Sequence, residues 1–111
     1  MLWGGSEPLF LEVTEERQAT ASECEGIGGT VKVYNHTYQE VYDAIMAGQN
    51  IYMEIVDDFG DTTPYLQLHY PSSICPSTHS IWLVCLGFNY NYTLVADTAN
   101  DYLKEIICNE M

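Results

Sequence analysis

Apolar and polar positions alternate along much of the chain, and the alternation predicts a set of short strands around one helix. Leu9, Leu11 and Val13 alternate with Phe10, Glu12 and Thr14, giving a strand over residues 9 to 14. After Gly28-Gly29, which suits a turn, Thr30-Val31-Lys32-Val33-Tyr34 reads as a second. Ile51, Met53 and Ile55 share one face of a third strand over 51 to 56. Leu66, Leu68 and Tyr70 share the inner face of its return partner over 65 to 70, with Tyr65, Gln67 and His69 opposite. Ile81 to Leu86 is the most continuous apolar run, short enough for a buried strand, and Phe88, Tyr90, Tyr92 and Leu94 alternate into another.

The period changes between residues 38 and 47. Tyr38, Val41, Tyr42, Ile45 and Met46 recur at three- and four-residue steps, with Gln39, Glu40 and Asp43 between them, so a helix is expected there. Thr37 and Glu40 have the spacing of a capping box, and Gly48 stops the pattern. A helix this short needs tertiary cover, so Tyr38, Val41, Tyr42 and Ile45 are expected to pack on the hairpin formed by residues 51 to 56 and 65 to 70. If Ile45 is buried there, Ile45→Ala costs about 2 to 4 kcal/mol. The tail fits two periods. The spacing of Ala99, Tyr102, Leu103, Ile106 and Ile107 is helical, whereas Tyr102, Lys104, Ile106 and Cys108 alternate as a strand; the helix over 99 to 109 is the favoured reading. The fold class is α+β: a small, mainly antiparallel sheet covered by a short helix, with a possible C-terminal helix.

Residues 15 to 26 lack apolar periodicity and concentrate carboxylates, which reads as a solvated loop. Residues 1–29 are therefore read as a mobile acidic lead-in with a short strand, and residues 30–111 as one α+β module. The length of 111 residues leaves no room for a second large core. With 3 basic against 16 acidic residues, the net charge of −13 repels phosphate backbones and anionic membranes, so neither is expected as a direct ligand. No basic, apolar leader and no run of about 18 apolar residues is present, so neither a signal peptide nor membrane insertion is expected.

Candidate chemistry is sparse. Cys24, Cys75, Cys85 and Cys108 form no CxxC pair and no metal-ligand spacing. Without an export leader they read as free structural thiols, one or two disulfides being the alternative. Asp57, Asp58 and Asp61 are the tightest carboxylate group, but Phe59-Gly60 interrupts them and the distal Glu of a calcium loop is missing, so a solvated turn is expected. His36, His69 and His79 lie in no metal spacing, and Cys75 with His79 lacks an oxyanion element or an orienting partner. No catalytic, cofactor-binding or metal residue is singled out, and the chain is expected to be noncatalytic and without cofactor.

Thr37-Tyr38-Gln39-Glu40-Val41-Tyr42-Asp43-Ala44-Ile45-Met46-Ala47-Gly48-Gln49-Asn50-Ile51-Tyr52-Met53 resembles a helix-hairpin module of phage and prophage head-fibre or tail-fibre proteins from gut bacteria. Val41 stands at an Ile-like position and Gln49 at a Lys-like one, while Tyr65-Leu66-Gln67-Leu68 resembles the paired strand; the likeness extends over about residues 30 to 97. The resemblance implies a virion structural or attachment protein, synthesised in the bacterial cytoplasm and assembled as a homo-oligomer, with the homotrimer as the expected order. Other virion proteins or a host-surface glycan are the implied partners. The long repetitive shaft of a complete fibre is absent from this sequence. A different class remains: a small phage-encoded regulatory protein, or an acidic nucleic-acid mimic whose carboxylates engage a basic protein.

Overall fold

Two sheets share one apolar core in a computed structural model of the chain, which describes residues 7–24, 26, 28–55, 65–71, 84–88 and 92–109. The elements are β1 (Leu9–Leu11), β2 (Val13–Gln18), β3 (Gly29–Thr37), α1 (Tyr38–Met46), β4 (Ile51–Glu54), β5 (Tyr65–Leu68), β6 (Val84–Phe88), β7 (Tyr92–Ala96) and β8 (Tyr102–Cys108). One sheet has the order β1-β4-β5, with β1 parallel to β4 and β4 antiparallel to β5. The other has the order β2-β3-β8-β7-β6 and is antiparallel throughout. The fold is thus the expected small α+β arrangement with a mainly antiparallel sheet and one helix.

The sheets meet at two seams. At Glu12 the chain leaves β1 and enters β2, and the two backbone N–H groups at this corner find side-chain acceptors. Glu12 donates to Asn35 Oδ1 at 2.9 Å and Val13 to Glu54 Oε1 at 2.7 Å, so neither is left unpaired where the ladder changes sheets. At the other seam an isolated antiparallel bridge joins Pro71, beyond β5, to Phe88 at the end of β6. Leu11, Tyr34, Met53, Leu68, Leu86, Leu94 and Leu103 fill the space between the sheets. The Tyr34 hydroxyl escapes this apolar setting by donating to Glu105 Oε1 at 3.1 Å. Burial, the Glu105 charge and that bond push the phenol well above its ordinary range.

The helix forms as its sequence predicts. Thr37 Oγ1 accepts from the Glu40 N–H at 3.1 Å, and Glu40 Oε1 accepts from the Thr37 N–H at 3.0 Å, completing the capping box. Two more first-turn donors are satisfied from outside the helix, Tyr38 N–H by the Asp101 carbonyl and Gln39 N–H by that of Ala99. Gly48, at φ +82°, closes the far end, its N–H donating to the Ile45 carbonyl while that of Gln49 donates to Ala44. The buried stripe is narrower than expected, consisting of Val41 and Ala44. Tyr38 and Ile45 pack at the core margin, and Tyr42 is turned outward, 42% exposed and stacked on Tyr38. Nine residues make about two and a half turns, enough for one i, i+3 pair to reach the centre but not for a wide face. Tyr70, expected to face inward, lies past the end of β5 and is almost fully exposed.

Two segments differ from their sequence reading in kind. Residues 102–108 are strand β8, not the favoured C-terminal helix, because β3 and β7 offer backbone partners on both sides. Residues 15–18, expected in a solvated loop, belong to strand β2, held along β3 in spite of their polar sequence. From the rung of Glu15, Val33 and Lys104 onward, away from Tyr34 and Leu103, β2, β3 and β8 run on as a three-stranded arm outside the main core. The turn after β2 folds onto one face of this arm, burying Cys24 and Glu23. Glu23 takes the Arg17 guanidinium in a two-pronged pair, Nη1 to Oε1 at 2.9 Å and Nη2 to Oε2 at 2.8 Å, and also accepts from the Thr20 N–H at 2.8 Å. These bonds hold its carboxyl down to about 2, against an ordinary 4.5.

The arm ends in a disulfide between Cys24 and Cys108, with Cα atoms 5.4 Å apart across a sequence separation of 84. Cys85 is also disulfide-bonded, to a partner outside the described residues. The expectation of free thiols is therefore corrected. Cys24 and Cys108 meet because β3 pairs with β2 on one side and β8 on the other, a proximity that cysteine spacing does not encode. Gly29 sits opposite Cys108, and a side chain there would meet the Ile107 carbonyl and lie 2.8 Å from both the Cys108 Cα and the Cys24 Sγ.

Core truncation should separate two positions in equilibrium urea unfolding. Leu103→Ala, at a fully buried site, should cost about 2 to 5 kcal/mol, whereas half-buried Ile45→Ala should cost about 1 to 2 kcal/mol. Replacing both Cys24 and Cys108 by Ser should lower stability by about 4.6 kcal/mol, the chain-entropy value for so long a loop. The Glu23 pair should act through pH. Its carboxyl takes a proton near 4.5 when unfolded and only near 2 when folded, so its contribution is complete above about 4.5 and vanishes as pH falls to 2. Glu23→Gln should thus cost about 2 to 3 kcal/mol at pH 7 and much less at pH 2, measured by denaturation at both.

Candidate functional site

The seam at Pro71 and Phe88 leaves an open cleft of about 230 Å³. Its floor is apolar, made by Ile51, Leu68 and Phe88 from the edges of the core, with Ile45 from the helix. Its polar wall comes from two places. The helix stop at Gly48 turns the chain sharply, so that Gln49 and Asn50 stand at the mouth before β4 begins. Gln67 comes from β5, and His69 and Tyr70 from the residues just after it.

Hydrogen bonds fix parts of this wall. Gln49 Nε2 donates to the Glu7 carbonyl at 2.9 Å, and the Asn50 carbonyl accepts from the Leu9 N–H at 2.9 Å, tying the mouth to the start of β1. Gln67 Nε2 reaches Asn50 Oδ1 at 3.5 Å across the cleft edge. Among the described residues the cleft lining contains no Asp, Glu, Lys or Arg, although 19 of the 111 residues in the chain are of those types. An ion is usually held by an opposite charge or a set of carboxylates, and the described lining supplies no carboxylate, Lys or Arg.

Gln67 connects the cleft to the outer face of the small sheet. The register places Phe10, Tyr52 and Gln67 on one rung, while Leu9, Leu11, Ile51, Met53, Leu66 and Leu68 point the other way into the core. Phe10 stacks on Tyr52 with ring centroids 5.3 Å apart and planes at 21°, and Tyr65 meets Phe10 edge-on at 5.1 Å. Phe10 and Tyr65 remain 40% and 43% exposed. The Tyr65 hydroxyl donates to Glu12 Oε2 at 2.8 Å, and this bond to a carboxylate raises the phenol from its ordinary value. The result is a fixed aromatic platform beside a neutral amide-lined cleft. Such a surface can stack on the apolar face of a ring and exchange hydrogen bonds with neutral polar groups.

Of the residues considered from sequence, His69 lines the cleft, and His36 instead meets Glu40, Nδ1 to Oε1 at 3.1 Å. Glu15 and Glu16 are exposed along β2. Asp57, Asp58, Asp61, Cys75 and His79 lie outside the described residues. Among the described residues, no group of three His, Cys, Asp or Glu side chains is placed to hold a metal. Sequence reasoning missed Asn50, Gln67, Phe10 and Tyr52. The adjacent amides of Gln49-Asn50, directly after a helix stop, were the one local sign of a polar mouth. A second depression of about 370 Å³ is lined, among the described residues, by Thr14, Asn35 and Tyr102. No helix among the described residues is long and apolar enough to cross a membrane. No family model, curated protein or solved structure matches the chain.

Proposed function

We propose that this chain is a noncatalytic virion structural or attachment protein of a phage or prophage, working as a homotrimer and needing neither metal nor organic cofactor. The observation that carries the reading is the surface just described, an amide-lined cleft continuous with an aromatic platform on which Phe10 and Tyr65 are exposed. Ile45, Gln49, Asn50, Ile51, Tyr52, Tyr65, Gln67 and Leu68 of this surface lie in the helix and hairpin whose sequence resembles a fibre module, while β1 supplies Phe10 and β6 Phe88.

The cysteines add support. Disulfides persist in oxidising surroundings, which a protein carried on the exterior of a released particle meets. Synthesis in the bacterial cytoplasm followed by incorporation into the virion fits that history. Partners are then further copies of the chain, neighbouring virion proteins or a host-surface glycan. With −13 on each copy, a shared interface must keep its carboxylates at the rim or neutralise them. That same charge is what favours the second reading, an acidic mimic that engages a basic protein.

Light scattering of the purified chain should give three times its mass of 12.6 kDa, with association strengthened by salt as repulsion is screened. Labelled antibody should decorate intact particles. A protein that stays monomeric at every salt concentration and is missing from particles overturns the reading. Capture of a basic DNA-binding protein by such a monomer would establish the mimic instead.

A further inference from the structure

We propose that the cleft beside Asn50 and Gln67 binds one ring of a neutral pyranose sugar, and that the Phe10–Tyr52 platform stacks on the next ring of the same glycan. The ligand class deepens the attachment reading and rests on it for its biological setting.

Charge selects the class. An anionic ligand would have to approach a chain of net charge −13 and would find no Lys or Arg among the described residues of the cleft. A cationic ligand would seek carboxylates, and the described lining offers none. What remains is a neutral molecule. The walls then specify its groups. Primary amides carry both donors and acceptors, and the single Gln67 to Asn50 bond uses one donor of one amide and the oxygen of the other. Their complementary donor and acceptor sites match adjacent hydroxyls, each of which also donates and accepts. A purely apolar ligand would leave those amides without water and without a partner, which is unfavourable.

Size and shape narrow the ligand further. The cleft volume of about 230 Å³ lies below the roughly 300 Å³ at which sites for drug-sized ligands begin, so it suits a single ring. A pyranose has an apolar face of axial C–H groups and an edge of hydroxyls. Ile51, Leu68 and Phe88 make the matching apolar floor, and the amides stand at the edge. Tyr70, 86% exposed at the rim, is free of core packing and can lie over a bound ring. Gln67 belongs both to the cleft and to the rung of Phe10 and Tyr52, so a second ring leaving the cleft meets Phe10, which is 40% exposed and stacked on half-buried Tyr52.

The test is a titration of the full ¹⁵N-labelled chain, disulfides intact, followed by backbone and side-chain amide shifts. Probes are the methyl glycosides of glucose, galactose, mannose and N-acetylglucosamine, their β1,4-linked disaccharides, and methyl glucuronide as the anionic control. At least one neutral glycoside should shift Gln49, Asn50, Gln67 and His69 with millimolar affinity, its disaccharide should add shifts at Phe10 and Tyr52, and the glucuronide should bind at least about tenfold more weakly at low salt. Asn50→Ala and Gln67→Ala should each weaken binding about tenfold. Tyr70→Ala, which removes no core contact, should weaken it about threefold in a chain whose remaining spectrum is unchanged.

Silence of the cleft amides toward every neutral glycoside at about 50 mM overturns the proposal, as does binding that all three variants leave intact. Preferred binding of the glucuronide also overturns it. These outcomes are separable from failure of the attachment reading. A chain found on particles but silent to all glycosides loses the ligand and keeps the location, whereas one that binds glycosides through the cleft but is absent from particles keeps the ligand and loses the location.

Discussion

The antiparallel ladder between β3 and β8 is the interaction on which the other parts of the molecule depend. It joins residues 29–37 to residues 102–108, so most of the chain must already be laid out before it closes. At one end it delivers the helix: the turn before β8 supplies the Asp101 and Ala99 carbonyls that accept from the first helical N–H groups. At the other end it brings Cys108 opposite Gly29 and within reach of Cys24. Between those ends it sets Tyr34 and Leu103 into the core. Long-range pairing of this kind has a large entropic cost of closure, and the core and disulfide both offset it.

The helix and hairpin were legible in the sequence because their determinants are local. Thr37, Glu40 and Gly48 mark the helix ends within a dozen residues, and alternation in residues 51 to 54 and 65 to 68 marks the paired strands. The tail was not legible, for a structural reason. Leu103 faces the core, while Ile106 faces the opposite side, against the rung of Val31 that the turn around Cys24 covers. A strand buried first on one face and then on the other places its apolar residues three apart, which imitates a helix. β2 was obscured differently. Its Glu15, Glu16 and Gln18 are exposed, and only its pairing with β3 makes it a strand. Charged residues on such an edge also discourage pairing with another chain.

The candidate site was hidden in the same way. Phe10 and Tyr52 are far apart in sequence and look like ordinary strand residues, and only the parallel register of β1 on β4 stacks them. Gln67 and Asn50 acquire their meaning from the hairpin register and the helix stop together. Tyr42 shows the converse. Helical spacing assigned it to the buried face, but a nine-residue helix buries a narrower stripe than its apolar content implies. Composition did foreshadow one property of the site, since an excess of carboxylates makes any uncharged concavity distinctive.

The clasp at the end of the arm also determines how the molecule would bear mechanical load. β8 lies between β3 and β7, so tension applied along it acts on hydrogen bonds arranged in shear on both sides, which must fail together. At Cys108 the covalent link passes part of that tension into Cys24 and from there through the Glu23 and Arg17 pair into β2. A pull on the end of β8 would therefore be shared by three strands before any one peeled away. For a protein tethered at that end while its cleft held a surface, the reduced and oxidised chains would differ less in grip than in the force each survives.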